Sequence, residues 1–222
     1  VEVLILDDGT DEPFTLDVPY PVRIIKSRAR ISIGAKRNIL ARGAKSEFIA
    51  HMDDDDIYFP SYIDYSILML QQHKKDVAGT GDMLVLFPYH NWKMGAIHCP
   101  HLYMANEATM VYRKSFWETS SFENKNFAEG QIFLHGHDDK IFRTNIGLVM
   151  ICIAHDKNTI SKDQWLKQPF DDVPNYYAHK KLLKEMGIGS AKEIIVSDTS
   201  LTLVGNSANT ISQHHTQETL PA

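Results

Sequence analysis

The chain has 222 residues, 43% of them hydrophobic and 23% charged, a balance that belongs to one large globular domain or two small ones. Fibrous and broadly disordered classes are excluded, and because folding at this size buries roughly 70% of the unfolded surface, a core forms without disulfides or a structural metal. With 28 acidic against 23 basic side chains the formal net charge is -5, which leaves no electrostatic footprint for nucleic acid or an anionic membrane.

Cys99 and Cys152 are too few for a disulfide framework and match no zinc or redox spacing. They read as free thiols of a reducing compartment, so the expected location is the cytoplasm. No run reaches the ~18 uncharged apolar residues of a membrane span. The chain starts at Val1 directly before a strand-like run, which reads as an excised domain or a processed product.

In chain order, Val3-Leu4-Ile5-Leu6 is a short apolar run stopped by Asp7-Asp8-Gly9-Thr10, the pattern of a buried strand ending in a turn. Val22-Arg23-Ile24-Ile25 repeats it. Ser32 is placed to cap a helix through Arg42, with Ile33, Ile39 and Leu40 on its inner face and Gly43 past its end. Residues 48–52 form the next strand, halted by four consecutive aspartates. Pro60 then sits where a first-turn proline is tolerated, before a helix over 62–70. Strands are expected at 83–87, 108–112 and 148–153, and a helix over 128–142. Beyond Asp171 a helix over 175–186 and a strand at 193–196 precede a polar run, 206–222, whose composition reads as a flexible tail. The alternation of strands and helices gives an α/β class, a mixed sheet flanked by helices over residues 1–170, with a helical extension over 171–222.

The strongest chemical signal is Asp53-Asp54-Asp55-Asp56, directly after a central strand, where open α/β sheets bind ligands. Four adjacent carboxylates repel, and hard oxygen ligands of this kind suit Mg²⁺ or Mn²⁺ with a phosphorylated substrate. The bland alternative is a solvated acidic turn. Asp7 and Asp8 end the first strand in the same way and would share one acidic cleft with the aspartate run. Lys36 and Arg37 lie early in the capped helix, where cations do not help the macrodipole, so an anion nearby explains them better. Gly136-His137-Asp138-Asp139 offers a carboxylate separate from the cluster, suited to a general base, or else a helix cap. His155, with Asn158 three residues on, can complete a divalent site, although most of the 11 histidines must be structural or exposed.

Taken in order, these segments resemble the GT-A glycosyltransferases, most closely the family-2-like branch. The matching residues are Leu6-Asp7-Asp8-Gly9-Thr10, Ala35-Lys36-Arg37-Asn38, Asp53-Asp54-Asp55-Asp56 with Pro60, and Gly136-His137-Asp138-Asp139. The resemblance covers roughly residues 1–160. It implies a GT-A fold and transfer of a sugar from a nucleoside diphosphate, usually UDP, to a hydroxyl acceptor such as a glycan. By the same carry-over Asp7 or Asp8 would hold the base, Lys36, Arg37 and Asp54 would line the donor site, and Asp53 would meet the ribose. Asp55, with Asp53 and His155, would ligate Mn²⁺ or Mg²⁺. Asp138, or Asp139 in competition with it, would be the base of an inverting reaction, and Asn106 and Glu107 are acceptor contacts by position.

Two other classes compete. A haloacid-dehalogenase-like phosphotransferase is suggested by Leu6-Asp7-Asp8-Gly9-Thr10, yet Leu6 occupies the place of its nucleophile. A non-catalytic module binding a sugar nucleotide or carbohydrate would keep the acidic cluster without a working base.

Overall fold

The computed structural model describes residues 1–9, 15–90, 93–156, 158, 161–162, 166 and 216–219. Three sheets carry the strands. The first is β1 (Val3–Asp7) beside β2 (Val22–Lys26), parallel, with β11 (Thr216–Thr219) on the far side of β2. The second has the order β4-β10-β6-β7, from β4 (Ile57–Tyr58), β6 (Met83–Phe87), β7 (Lys93–Ile97) and β10 (Met150–Ile153). In the third, β3 (Phe48–Ala50), β5 (Val77–Gly79) and β9 (Ile141–Arg143) run the same way, and β8 (Val111–Arg113) lies antiparallel between β3 and β5. Helices α1 (Ile33–Gly43), α2 (Tyr62–His73), α3 (Lys114–Thr119) and α4 (Gln131–Leu134) flank these sheets, an α/β fold with mixed sheets.

Local chemistry explains the elements that position the site. The Ser32 side chain accepts from the Ala35 N–H and so starts α1, while Asn126 Oδ1 and the Lys125 carbonyl take the N–H groups of Ile33 and Gly34. The expected inner face is displaced: Gly34 and Ala41 are buried, whereas Ile33, Ile39 and Leu40 are half-buried. The cause is close approach, since a Cβ at Gly34 would sit 1.7 Å from the Glu123 carbonyl oxygen. Asn38 staples the same helix to the segment after α3, accepting from Trp117 Nε1 and the Phe122 N–H and donating to the Phe122 carbonyl.

Between α2 and the sheets lies the main core, built on Tyr62, Leu70, Leu84, Val85, Val111 and Ile151. Full burial of each such aliphatic side chain is worth about 1.5–3 kcal/mol. A second cluster, with Tyr112, Phe116, Phe122 and Phe133 in ring contact, holds α3 and α4.

Several expectations are revised. The helix expected over 128–142 is broken into α4, a 3-10 turn at Asp138–Lys140 and the strand β9. Positive φ at Ala128 and Gly136 interrupts helical geometry at both ends of α4. The strand ending at Met52 stops at Ala50, and that expected over 108–112 is a 3-10 turn at Glu107–Thr109 followed by β8. Within the run read as a flexible tail, Thr216–Thr219 pairs with β2. The helix over 175–186 and the strand at 193–196 lie outside the described residues. Finally, β1 and β3 belong to different sheets, so their acidic ends meet through α1 instead of through strand pairing.

Candidate active site

The carboxyl ends of β3 and β5 and the start of β8 form one edge of the third sheet. Beyond Ala50, His51 keeps one more backbone bond, from its N–H to the Met110 carbonyl, before the chain turns through the aspartates. The His51 ring is buried, its Nδ1 2.9 Å from the Glu107 carbonyl oxygen and its Nε2 3.1 Å from the Tyr112 hydroxyl. Desolvation first, and then the Arg37 charge, pushes its pKa well below the ordinary histidine value, so it is neutral. The Asp53 N–H donates to the Tyr58 hydroxyl at 2.8 Å, and that hydroxyl donates to the Ala108 carbonyl at 3.1 Å. These bonds lock the aspartate turn to the Glu107–Thr109 turn.

Arg37 is the centre of the site. Its side chain is 11% exposed, with Nε 2.9 Å from Glu129 Oε1 and Nη2 3.2 Å from Asp53 Oδ1. Desolvation opposes its charge, but Asp53 and Glu129 outweigh that penalty and hold the guanidinium protonated. Lys36, one residue earlier, reaches Asp8 Oδ1 at 2.6 Å, and the Ile31 N–H donates to Asp8 Oδ2 at 3.0 Å. Against the cost of burial, those two partners hold the Asp8 carboxyl below its usual range. Asp7 is buried and accepts from the Gly9 N–H. Lys36 and Arg37 of α1 therefore face carboxylates of this chain, and through them the ends of β1 and β3 converge.

Asp55 stands on the other side of the turn. Its Oδ2 lies 3.1 Å from His155 Nε2 and 3.0 Å from Asn158 Nδ2, and Asn158 Nδ2 is also 2.8 Å from His155 Nε2. Asn158 thus gathers the Asp55 carboxylate and the His155 ring on one side of the aspartate turn. The Asp55 carboxylate is the kind of hard oxygen donor that Mg²⁺ and Mn²⁺ take, whereas an imidazole suits these ions less well. Among the described residues no group of three or more His, Cys, Asp or Glu side chains is placed to hold a metal ion. Asp56 turns inward to accept from the Ile153 N–H, and burial together with Asp55 and Asp53 pushes its pKa up to about 7. Asp54 is exposed at the tip of the turn.

Of the remaining expected site residues, Asn106 caps the 3-10 turn by accepting from the Ala108 N–H, and its Nδ2 faces Met83 Sδ. Glu107 lies in the cluster, with Oε1 accepting from the Gly130 N–H at 2.8 Å. Asp138 and Asp139 are not brought to it. They precede β9 at the opposite edge, where the Asp76 N–H donates to the Lys140 carbonyl and Lys140 approaches Asp76 and Asp139. The three-residue strands put ~10 Å of sheet between the two edges.

Glu129 and His51 were not singled out by the sequence. Glu129 falls inside the stretch read as a helix, and its meaning depends on Arg37, 92 residues away. The alanine before it, at φ 50, turns the chain so that this carboxylate faces α1.

Among known proteins, the profile of Glycosyl transferase family 2 matches residues 1–137. An uncharacterized glycosyltransferase of Haemophilus influenzae is 28% identical over 74 residues, 32% of this chain and 25% of that protein. The chain thus spans about a quarter of that relative's length. Solved structures of S. aureus TarS are similar at TM-scores of 0.45–0.46 and 11–12% identity, covering 69% of this chain and 60% of a 1–349 fragment or 36% of a longer chain. No helix among the described residues is long and apolar enough to cross a membrane. With its profile matched over more than half of the residues, the chain belongs to glycosyl transferase family 2.

Proposed function

We propose that the chain is a GT-A glycosyltransferase that moves a sugar from a nucleoside-diphosphate sugar, with uridine the expected base, to a hydroxyl acceptor such as a glycan. The observation that carries this reading is the convergence of Asp8 and Asp53 on the first turns of α1, through Lys36 and Arg37, with Asp55 on the far side of the same aspartate turn. Residues 1–170 are assigned to the transferase unit and 171–222 to an extension, of which Thr216–Thr219 returns to pair with β2.

Asp7 and Asp8 accept hydrogen bonds from the base, and Asp53, oriented by Arg37, accepts from the ribose. Lys36, 30% exposed in its side chain, turns from Asp8 toward the diphosphate. Asp54, at the tip of the turn, borders the same donor. Asp55 and His155, with Asp53 beside them, would hold Mn²⁺ or Mg²⁺, which when bound offsets the charge developing on the departing nucleoside diphosphate. Asn158, whose Nδ2 lies against both Asp55 Oδ2 and His155 Nε2, would give way to the ion.

A second reading, a module that binds sugar nucleotides without turning them over, is favoured by one observation: Asp138 and Asp139 stand at the far edge from these acids. A calorimetric screen of nucleoside diphosphates with and without Mn²⁺ tests the donor site. Strong metal dependence and a preference for UDP are expected. Equal, metal-independent binding of all nucleotides would overturn both readings, and UDP binding without donor turnover would leave the module.

A further inference from the structure

Three side-chain groupings stand outside the donor roles assigned above: the exposed acids of the opposite edge, the Asp82–Arg143 pair against Cys99, and the Glu107–Gly130 contact. The first is solvated and paired, and in the second Asp82 is taken up by Arg143 and the Cys99 N–H. The third adjoins the aspartate turn. We propose that Glu107 is the catalytic base that receives the proton of the acceptor hydroxyl. This assignment rests on the transferase reading above.

Position comes first. Glu107 opens the 3-10 turn that leads into β8, at the same sheet edge as Asp53. Its carbonyl meets His51, two residues before Asp53, and the Ala108 carbonyl is joined to the Asp53 N–H through the Tyr58 hydroxyl. The turn that carries Glu107 and the turn that carries Asp53 therefore form one hydrogen-bonded unit.

The carboxylate is also specifically held. The Gly130 N–H pins Oε1, and a Cβ at Gly130 would lie 2.8 Å from Glu107 Cγ and 2.9 Å from Oε1. Glycine at this position leaves room for the carboxylate to dock. Two neighbouring acids thus divide the work. Glu129 is buried and spent on Arg37, whereas Glu107 stays partly exposed.

The charged and titratable groups facing Glu107 are Glu129 from the segment before α4, Arg37 from α1 and, against its backbone, His51 after β3. Desolvation and the Glu129 charge raise its pKa, and the backbone N–H groups of Glu107 and Gly130, then Arg37, counter them. A carboxyl shifted toward neutrality is a stronger base than an exposed one. In the step itself, the acceptor O–H proton passes to the Glu107 carboxylate and the freed oxygen pair forms the new bond to the sugar's anomeric carbon. The bond from that carbon to the diphosphate oxygen breaks, and its electron pair leaves with the nucleoside diphosphate.

The test measures UDP release from UDP-glucose, UDP-galactose and UDP-GlcNAc with Mn²⁺ and water as acceptor, alongside calorimetric binding of UDP. Glu107→Gln is expected to lower turnover at least about 100-fold with UDP affinity unchanged. It should also remove the acid limb of the wild-type rate profile. Glu107→Ala should regain UDP release in sodium azide, a nucleophile that needs no deprotonation, and Gly130→Ala should lower turnover more than affinity. The assignment is overturned if Glu107→Gln keeps turnover within tenfold, if it loses UDP binding along with turnover, or if Asp138→Asn abolishes turnover while Glu107→Gln does not. Wild-type protein that binds UDP but releases none from the donors also rejects the base, whereas failure to bind UDP rejects the donor-site reading itself.

Discussion

The two edges of the β3-β8-β5-β9 sheet carry the same residue types in opposite physical states. At one edge, Glu47, Asp138 and Asp139 are exposed and Asp76 is half-buried, beside Arg113, Lys75 and Lys140, and the Asp139 side chain is 75% exposed. At the other, Asp53, Glu107 and Glu129 close around a single buried guanidinium, while Asp56 is pressed inward until its pKa reaches about 7. Exposed pairs of the first kind contribute about 0–1 kcal/mol each and bind nothing in particular. The second arrangement is costly to hold without a cation, and that cost is what makes it a candidate site.

The largest effect in this comparison is expected at Arg37. Replacing it with Met leaves Asp53, Glu129 and Glu107 crowded and uncompensated, a loss on the order of 3–5 kcal/mol in urea unfolding, together with loss of UDP binding. Asp55→Asn comes next. It should weaken Mn²⁺-dependent UDP binding by about tenfold or more in calorimetry with little change in the unfolding midpoint, since Asp55 is an exposed-side partner of His155 and Asn158.

Two buried groups then give opposite pH slopes. The folded pKa of Asp56 is above its unfolded value, so its contribution is fully present below pH 3.8 and is lost as pH rises toward about 7. His51 has a folded pKa below 6.5, so its contribution is present above pH 6.5 and is lost as pH falls. Asp56→Asn, which keeps an oxygen for the Ile153 N–H, should raise the metal-free melting temperature at pH 8 by several degrees, ~2–4 °C per kcal/mol, and change it less at pH 5. His51→Gln should flatten the fall in melting temperature between pH 7 and pH 5. The smallest effect belongs to the far edge: Asp139→Asn should shift stability by no more than ~0.5 kcal/mol and leave UDP affinity as it was.

Local signals made one half of this contrast readable in the sequence. The β1 and β6 runs, the Ser32 cap and the aspartates after β3 are contiguous, and each states its own structure within a few residues. Asp55 and His155, 100 residues apart, were both singled out because each follows a strand of apolar residues. What the sequence concealed is which edge of a sheet an acid occupies. Asp138-Asp139 and Asp53-Asp54 look alike as letters, but one pair precedes its strand and the other follows it. The stretch holding them also changes from helix to strand at Gly136, where φ is 77. Glu129 carried no signal at all, because its role is defined by Arg37 and by a left-handed alanine before it.

The most direct test of the central claim is paramagnetic broadening of backbone amide signals by substoichiometric Mn²⁺ in the presence of UDP. Amides at 53–56 and at His155 are expected to lose intensity first, while those at 138–140 persist. Earlier or equal loss at 138–140, or broadening at neither edge, would contradict it.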